Sequence, residues 1–301
     1  MNPTISMSVI CPANRRDFLK SGLAATGVGA MATLSVASTA RNAGVGLIDV
    51  NVSLARWPTR RVAGDDTSEL VSRLHRSGVT QAWAGSFDGL LHKDLAGVNA
   101  RLAEDCRKHR RGFLQAFGSI NPMLPDWEEE LRRCAENHRM AGIRLHPNYH
   151  GYKLDDSGFA SCLRLAAEHR LIVQLAVTME DERMMHPLLR VPPVDTTPLL
   201  TILRQTPSLR IVLLNALGTL RGKPLLDVLS AGEVYVEISM LEGIGGVGKL
   251  LEQVPADRVL FGSHSPLFYF ESAYLKLKES PLTAEQLNAI RAANARRIQS
   301  R

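Results

Sequence analysis

The chain is poor in aromatic residues, at 5% of its 301 positions, and its four cysteines include no C-x-x-C pair. Without paired thiolates it has no structural zinc motif of the finger or ribbon kind. No apolar run reaches the ~18 residues that suit a membrane span; the mild run 23–36 is short and broken by glycine. No glycine-rich loop follows the first strand-like segment, which argues against a doubly wound nucleotide-binding sheet. Basic residues exceed acidic ones by six. They are scattered, as in Arg132-Arg133 and Arg296-Arg297, and no aromatics interleave them. They read as solvated helix faces, and no nucleic-acid partner is expected.

What is present begins with Arg15-Arg16-Asp17-Phe18-Leu19-Lys20, followed by the mild apolar run and by Ser38-Thr39-Ala40. That order of charge, weak apolar stretch and small residues is the pattern of a twin-arginine export signal. Residues 1–40 are therefore expected to address the chain to the export machinery. The mature part, 41–301, is expected in the periplasm or cell envelope. The signal holds three cations and one acid, so the mature part keeps a mild +4. Cys11 goes with the signal. Cys106, Cys134 and Cys162 fall in helical segments and read as buried thiols.

About 260 residues remain, the size of one (β/α)8 barrel. Eight apolar runs of strand length recur, at 46–52, 79–84, 112–120, 142–146, 171–177, 209–216, 233–239 and 258–263. Between most of them lie stretches with helical periodicity, at 67–76, 98–109, 127–138, 159–169, 198–205 and 224–229. Alternation of this kind predicts an α/β fold, a single TIM barrel with parallel strands and right-handed crossovers.

In a barrel the apolar face of each strand meets the helices and the other face fills the lumen. Alternation then turns Asp49, Asn51 and Ser53 inward on strand one, and Arg144 and His146 on strand four. Strand five contributes Gln174, Ala176 and Thr178. Strand six contributes Asn215, strand seven Tyr235, Glu237 and Ser239, and strand eight His264. A lone buried charge is costly, so Arg144 is expected to pair with Glu237 or Asp49, as a plug or as the binder of a substrate carboxylate. The run Gly243-Ile244-Gly245-Gly246-Val247-Gly248 after strand seven reads as a mobile loop.

Three motifs carry a resemblance: Gly142-Ile143-Arg144-Leu145-His146-Pro147, Leu260-Phe261-Gly262-Ser263-His264-Ser265-Pro266, and Asn294-Ala295-Arg296-Arg297. In order and placement they resemble the amidohydrolase-related barrels, a family of metal-dependent hydrolases and nonoxidative decarboxylases. The resemblance spans residues 47–298. It implies a metal held by an H-x-H at the end of strand one, histidines on strands five and six, and an aspartate on strand eight. Those positions fall here on Asn51 and Ser53, near Ala176 or Thr178, on Asn215, and on His264. His146 alone matches the strand-four histidine. Zinc takes three or four His, Cys or carboxylate ligands at ~2.0–2.3 Å, and asparagine and serine serve it poorly.

The expected site is therefore rebuilt and metal-poor. His146 and His264 are the candidate acid–base groups, or the residual ligands if a divalent metal such as zinc is held, and Asp49 is their orienter. Asn51, Ser53, Arg144, Asn215, His150, His186 and Glu237 are the candidate substrate contacts. Glu180 and Asp181 could supply further oxygen ligands. The implied activity is hydrolysis or decarboxylation of a small carboxylated molecule. The alternative is an inactive scaffold that binds a ligand or a partner.

Overall fold

A computed structural model describes residues 46–109 and 112–301. The expected export signal and Cys11 lie outside the described residues. Eight parallel strands run β1 (Leu47–Leu54), β2 (Val79–Ser86), β3 (Leu114–Ser119), β4 (Gly142–Leu145), β5 (Ile172–Ala176), β6 (Arg210–Leu214), β7 (Glu233–Glu237) and β8 (Val259–Leu260). They pair in chain order. The ring closes where Val50 N donates to the Phe261 carbonyl and Ser53 N to the Ser265 carbonyl, both at 2.9 Å. The single (β/α)8 barrel expected from the alternation is the fold observed.

The helices are α1 (Thr67–Arg76), α2 (Leu95–Lys108), α3 (Trp127–Glu136), α4 (Pro147–His150), α5 (Ser157–Glu168), α6 (Leu199–Gln205), α7 (Gly222–Ser230), α8 (Gly246–Leu251), α9 (Phe270–Glu279), α10 (Ala284–Asn288) and α11 (Asn294–Gln299). Local chemistry sets their ends. Asp66 accepts the Glu69 N–H at 2.9 Å to start α1, and Asp94 accepts that of Gly97 at 2.9 Å to start α2. Thr283 and Gln286 form a reciprocal capping box on α10. Within α1, Leu70 and Leu74 stand one turn apart and are both buried. The glycine-rich run after β7 is a turn, with Gly243 and Gly245 at positive φ, that leads into α8.

Two apolar layers flank the sheet. The outer core between strands and helices holds Leu47, Val52, Ile143, Leu145, Val234 and Val236 among others. A smaller cluster plugs the lumen with Ile48, Val50, Trp83, Phe117, Val212 and Tyr235. Within it Trp83 stacks on Phe117 at 5.1 Å. Strands β4 to β7 alternate as expected, but β1 does not. Its register against β2 shifts between Asp49 and Val52. Val50 then joins the lumen plug while Val52 joins the outer core. A bulge slips the alternation by one residue, and Asp49 is spent against the neighbouring strand end rather than aligned with Asn51 and Ser53. Strand β8 is also shorter than expected, because Phe261 N turns to the Ile290 carbonyl. Cys106, Cys134 and Cys162 are free and buried, and burial pushes the thiols of Cys106 and Cys162 up to about 12.

Candidate functional site

The polar lumen starts from Glu237 at the end of β7. Its Oε1 accepts the Asn215 main-chain N–H at 2.6 Å and Asn51 Nδ2 at 3.2 Å. Its Oε2 accepts Ser239 N at 2.6 Å, and the Ser239 hydroxyl lies 2.8 Å from Oε1. Asn51 Nδ2 also donates to Asn215 Oδ1 at 2.8 Å, and Asn215 Nδ2 donates to the Thr178 carbonyl at 2.7 Å. Three candidates, Asn51, Asn215 and Glu237, thus form one network across β1, β6 and β7. Burial pushes the Glu237 carboxyl upward and these donors oppose it. Room for the carboxylate comes from Gly262, where a Cβ would lie 2.4 Å from Oε2.

Asp49 staples β1 to the end of β8. Its Oδ1 accepts Asn51 N at 3.1 Å and Ser263 N at 3.0 Å, and its Oδ2 accepts the Ser263 hydroxyl at 2.5 Å. Burial, opposed by these donors, raises it to about 7. It makes no hydrogen bond to His146 or His264 among the described residues.

Arg144 corrects the expected ion pair. It bonds neutral acceptors only: Nε to Gln174 Oε1 at 2.8 Å, Nη1 to Ser53 Oγ at 2.9 Å and the Val52 carbonyl at 3.1 Å, and Nη2 to the Trp83 carbonyl at 3.4 Å. Neither Glu237 nor Asp49 comes within ion-pair range, because N–H and hydroxyl donors close by claim their oxygens. Burial pulls the guanidinium down to about 9, and the two distant carboxylates oppose that pull. Gly85 leaves the space it fills: a Cβ there would lie 2.7 Å from Arg144 Cζ.

The histidines lie above this layer. His146 stands just before the start of α4, makes no side-chain capping bond to it, and is 2% exposed. His150, at the end of α4, holds its ring 5.8 Å from that of His146 and bonds the Gly89 carbonyl through Nε2 at 2.8 Å. His264 is 1% exposed, sits at φ 58°, and bonds the Met179 carbonyl through Nε2 at 2.8 Å. That contact makes Nε2 the protonated nitrogen and leaves Nδ1 a buried lone pair without a partner. Burial, then repulsion of a His146 charge by His150, Arg144 and His264, holds His146 well below the usual imidazole range. Burial draws His264 down to about 4 and lowers His150. All three rings are neutral at pH 7. His186 stands apart, exposed on the loop after β5, where its Nδ1 accepts the Leu188 N–H at 3.2 Å.

The mouth over these rings is shut. Trp57 meets Phe87 edge to face at 5.1 Å, and Leu90, Ala176 and Met179 complete a buried cluster on which Val62, Tyr149 and Leu267 pack. Arg60 pairs with Glu180, tying the β1 and β5 loops together. The void left beside His146 is about 10 Å³, room for one water at most. The open space lies off the axis. A cavity of about 600 Å³ is lined by Thr178, Ser239, Met240, Leu241, Phe268 and Lys276 with the β5 loop. None of Asn51, Arg144, His146 or His264 lines it. Lys276 escaped the sequence reading, although it sits on α9 between the buried Ala273 and Leu277, a position where a lysine is unexpected.

The amidohydrolase family model matches residues 76–298. The chain belongs to the amidohydrolase family. No curated protein matches it. Solved structures with this fold include the 5-carboxyvanillate decarboxylase of Sphingomonas paucimobilis, with 14% identity and a TM-score of 0.67 over 85% of this chain and 99% of that one. The 2,6-dihydroxybenzoate decarboxylase from Rhizobium gives 14% and 0.67 over 85% and 98%. A dihydroxybenzoic acid decarboxylase from Polaromonas, with bound manganese and the inhibitor 2-nitroresorcinol, gives 13% and 0.68 over 85% and 97%. At these identities the likeness is one of fold.

Among the described residues no three His, Cys, Asp or Glu side chains converge on a metal position. The unpartnered buried polar atoms at the lumen, Asn51 Oδ1, His146 Nδ1 and His264 Nδ1, all belong to neutral groups. The carboxylates of Asp49 and Glu237 are consumed by N–H and hydroxyl donors. A divalent cation here would meet no free negative charge, and would share the lumen with the Arg144 guanidinium. The residues do not fit a catalytic metal.

Proposed function

We propose that this chain is an exported, metal-independent amidohydrolase-family protein that binds a small molecule in the cavity beside its barrel axis, the inherited axial centre having become a polar structural core. The observation that carries this reading is the contrast between the two spaces. The axial residues are buried, bonded to one another and roofed by side chains, while about 600 Å³ stays open next to them, within the usual range of small-molecule sites.

A second reading keeps the chemistry on the axis. His146 and His264 would act as acid and base in metal-free hydrolysis or decarboxylation of a small carboxylated molecule. It is favoured by the unpartnered Nδ1 of each ring and by the positive φ of His264, a strain of ~1–2 kcal/mol that tends to be kept at functional sites. It requires the Trp57–Met179 roof to open.

A small-molecule library screened by thermal shift separates the two. Binding that is lost when Met185→Trp fills the cavity, and kept in His146→Ala and His264→Ala, supports the first reading. Turnover of esters, amides, lactones or aromatic acids that vanishes in the two histidine variants supports the second. The export proposal rests on Arg15-Arg16 and its flanks, and predicts that Arg15→Lys with Arg16→Lys retains the protein in the cytoplasm on cell fractionation.

A further inference from the structure

Among the described residues the charges around the cavity are paired, with one exception. Four carboxylates line it, and each has its own arginine: Glu180 with Arg60, Asp181 with Arg183 at 2.5 Å, Glu182 with Arg190 at 3.8 Å, and Glu242 with Arg221 at 3.1 Å. Lys276 is different. Among the described residues its ammonium has no ion pair. It donates to two main-chain carbonyls past the end of β7, that of Ile238 at 3.1 Å and that of Ser239. An ammonium has three N–H donors, so one is left over at the cavity wall. One turn back on the same helix face, Ser272 also lines the cavity, and among the described residues its hydroxyl has no hydrogen-bond partner. The remaining wall sets the hydroxyl residues Thr178, Thr219 and Ser239 beside an apolar side formed by Met185, Val191, Met240, Leu241 and Phe268.

We infer that the cavity takes a small monocarboxylate with an apolar body, its carboxylate held by Lys276 and Ser272 and its body against Met240, Leu241 and Phe268. This rests on the cavity-binding reading and names its ligand class. A carboxylate supplies the acceptor that the third N–H lacks, and a charge-assisted bond in a half-buried setting is the stronger kind. A cationic ligand would meet four carboxylates already neutralised and a lysine that repels it.

Octanoate and phenylacetate, set against octanamide and octylamine, test the assignment by calorimetry and thermal shift on the full chain at neutral pH. The acids are expected to bind at least ~10-fold tighter than the amide or the amine. Lys276→Met is expected to remove that preference and Lys276→Arg to keep most of it. Because Lys276→Met also strips two carbonyls of their donor, the exposed Ser272→Asp provides a second reading. It sets a negative charge beside the ammonium, and is expected to weaken acid binding ~10-fold, well beyond its effect on the uncharged amide. Amide or amine binding equal to that of the acids, and lost on Met185→Trp, overturns the carboxylate assignment alone. Acid binding unchanged in both Lys276→Met and Ser272→Asp overturns it as well. Failure of acid, amide and amine alike overturns the cavity-binding reading together with it.

Discussion

Arg144 Nε donates to Gln174 Oε1 at 2.8 Å, and Gln174 Nε2 in turn donates to the Val50 carbonyl at 2.6 Å. A buried cation is thereby linked, through a neutral amide, to the backbone at the β1 bulge. Arg144 spends its other donors on Ser53, Val52 and Trp83. Its role is to join β1, β2, β4 and β5. Arg144→Met would leave those acceptors buried and unpaired, and should cost about 3 kcal/mol in urea unfolding. Ligand binding in the off-axis cavity should not change. Normal stability with lost binding would instead assign Arg144 to a substrate carboxylate.

Gly262 and Glu237 give a sharper test of the polar core. A methyl group at 262 would lie 2.4 Å from Glu237 Oε2, so the carboxylate must leave some of its donors. The backbone there is not in the left-handed region, and the effect is steric alone. Gly262→Ala is expected to destabilise by about 2–3 kcal/mol in urea unfolding. Gly218→Ala, whose Cβ would have 3.8 Å of room, should stay within about 0.5 kcal/mol. Equal effects of the two would show that the Glu237 network is not fixed by its packing.

Period-two alternation made the barrel legible: Ile143, Leu145, Val234 and Val236 face the helices as read. It failed at β1, because Asp49-Val50-Asn51-Val52-Ser53 alternates smoothly in sequence and the bulge that breaks it depends on pairing with β2 and β8. It also placed Arg144 and Glu237 in the same lumen without showing that each would be satisfied by neutral groups first. The roof was not legible either. Trp57, Phe87 and Met179 come from three loops, and no local pattern marks side chains that meet only in the fold. Gly85 and Gly262 are likewise understood only once Arg144 and Glu237 are in place. Asn51, Ser53, Asn215 and His264 were recognisable as polar residues turned toward the lumen, and all four are buried there.

The donor set predicts indifference to divalent metals. Chelation of the purified protein, or addition of manganese or zinc to it, should leave the thermal midpoint unchanged. A ligand at 100 times its dissociation constant stabilises by about 2.7 kcal/mol, so tight binding would be evident. A rise in midpoint that is lost in His146→Ala and His264→Ala would restore the metal site.

Titration of the buried core should pull stability in two opposed directions over one pH range. His264 is drawn down to about 4 in the fold against an ordinary value of ~6.5. Between those values the unfolded chain binds a proton that the fold refuses, so stability is lost as pH falls, by up to about 3 kcal/mol from this residue. His146 and His150 act in the same direction. Asp49 is raised to about 7. There the fold keeps a proton that the unfolded chain has released, so stability is lost as pH rises from about 4 to about 7. Glu237, also raised, adds to that slope. Replacing one member should therefore tilt the profile. Asp49→Asn keeps an oxygen for the Asn51 and Ser263 N–H groups, and the Ser263 hydroxyl can turn to accept from the new amide. Without the acid's titration the histidine slope should dominate, and stability should climb with pH. His264→Asn suits the positive φ, removes one imidazole and should tilt the profile the other way. Each tilt should approach ~1 kcal/mol per pH unit in urea unfolding between about pH 4.5 and 6.5. If both variants keep the parent slope, then Asp49 and His264 are not buried in the ionisation states that their neighbours impose.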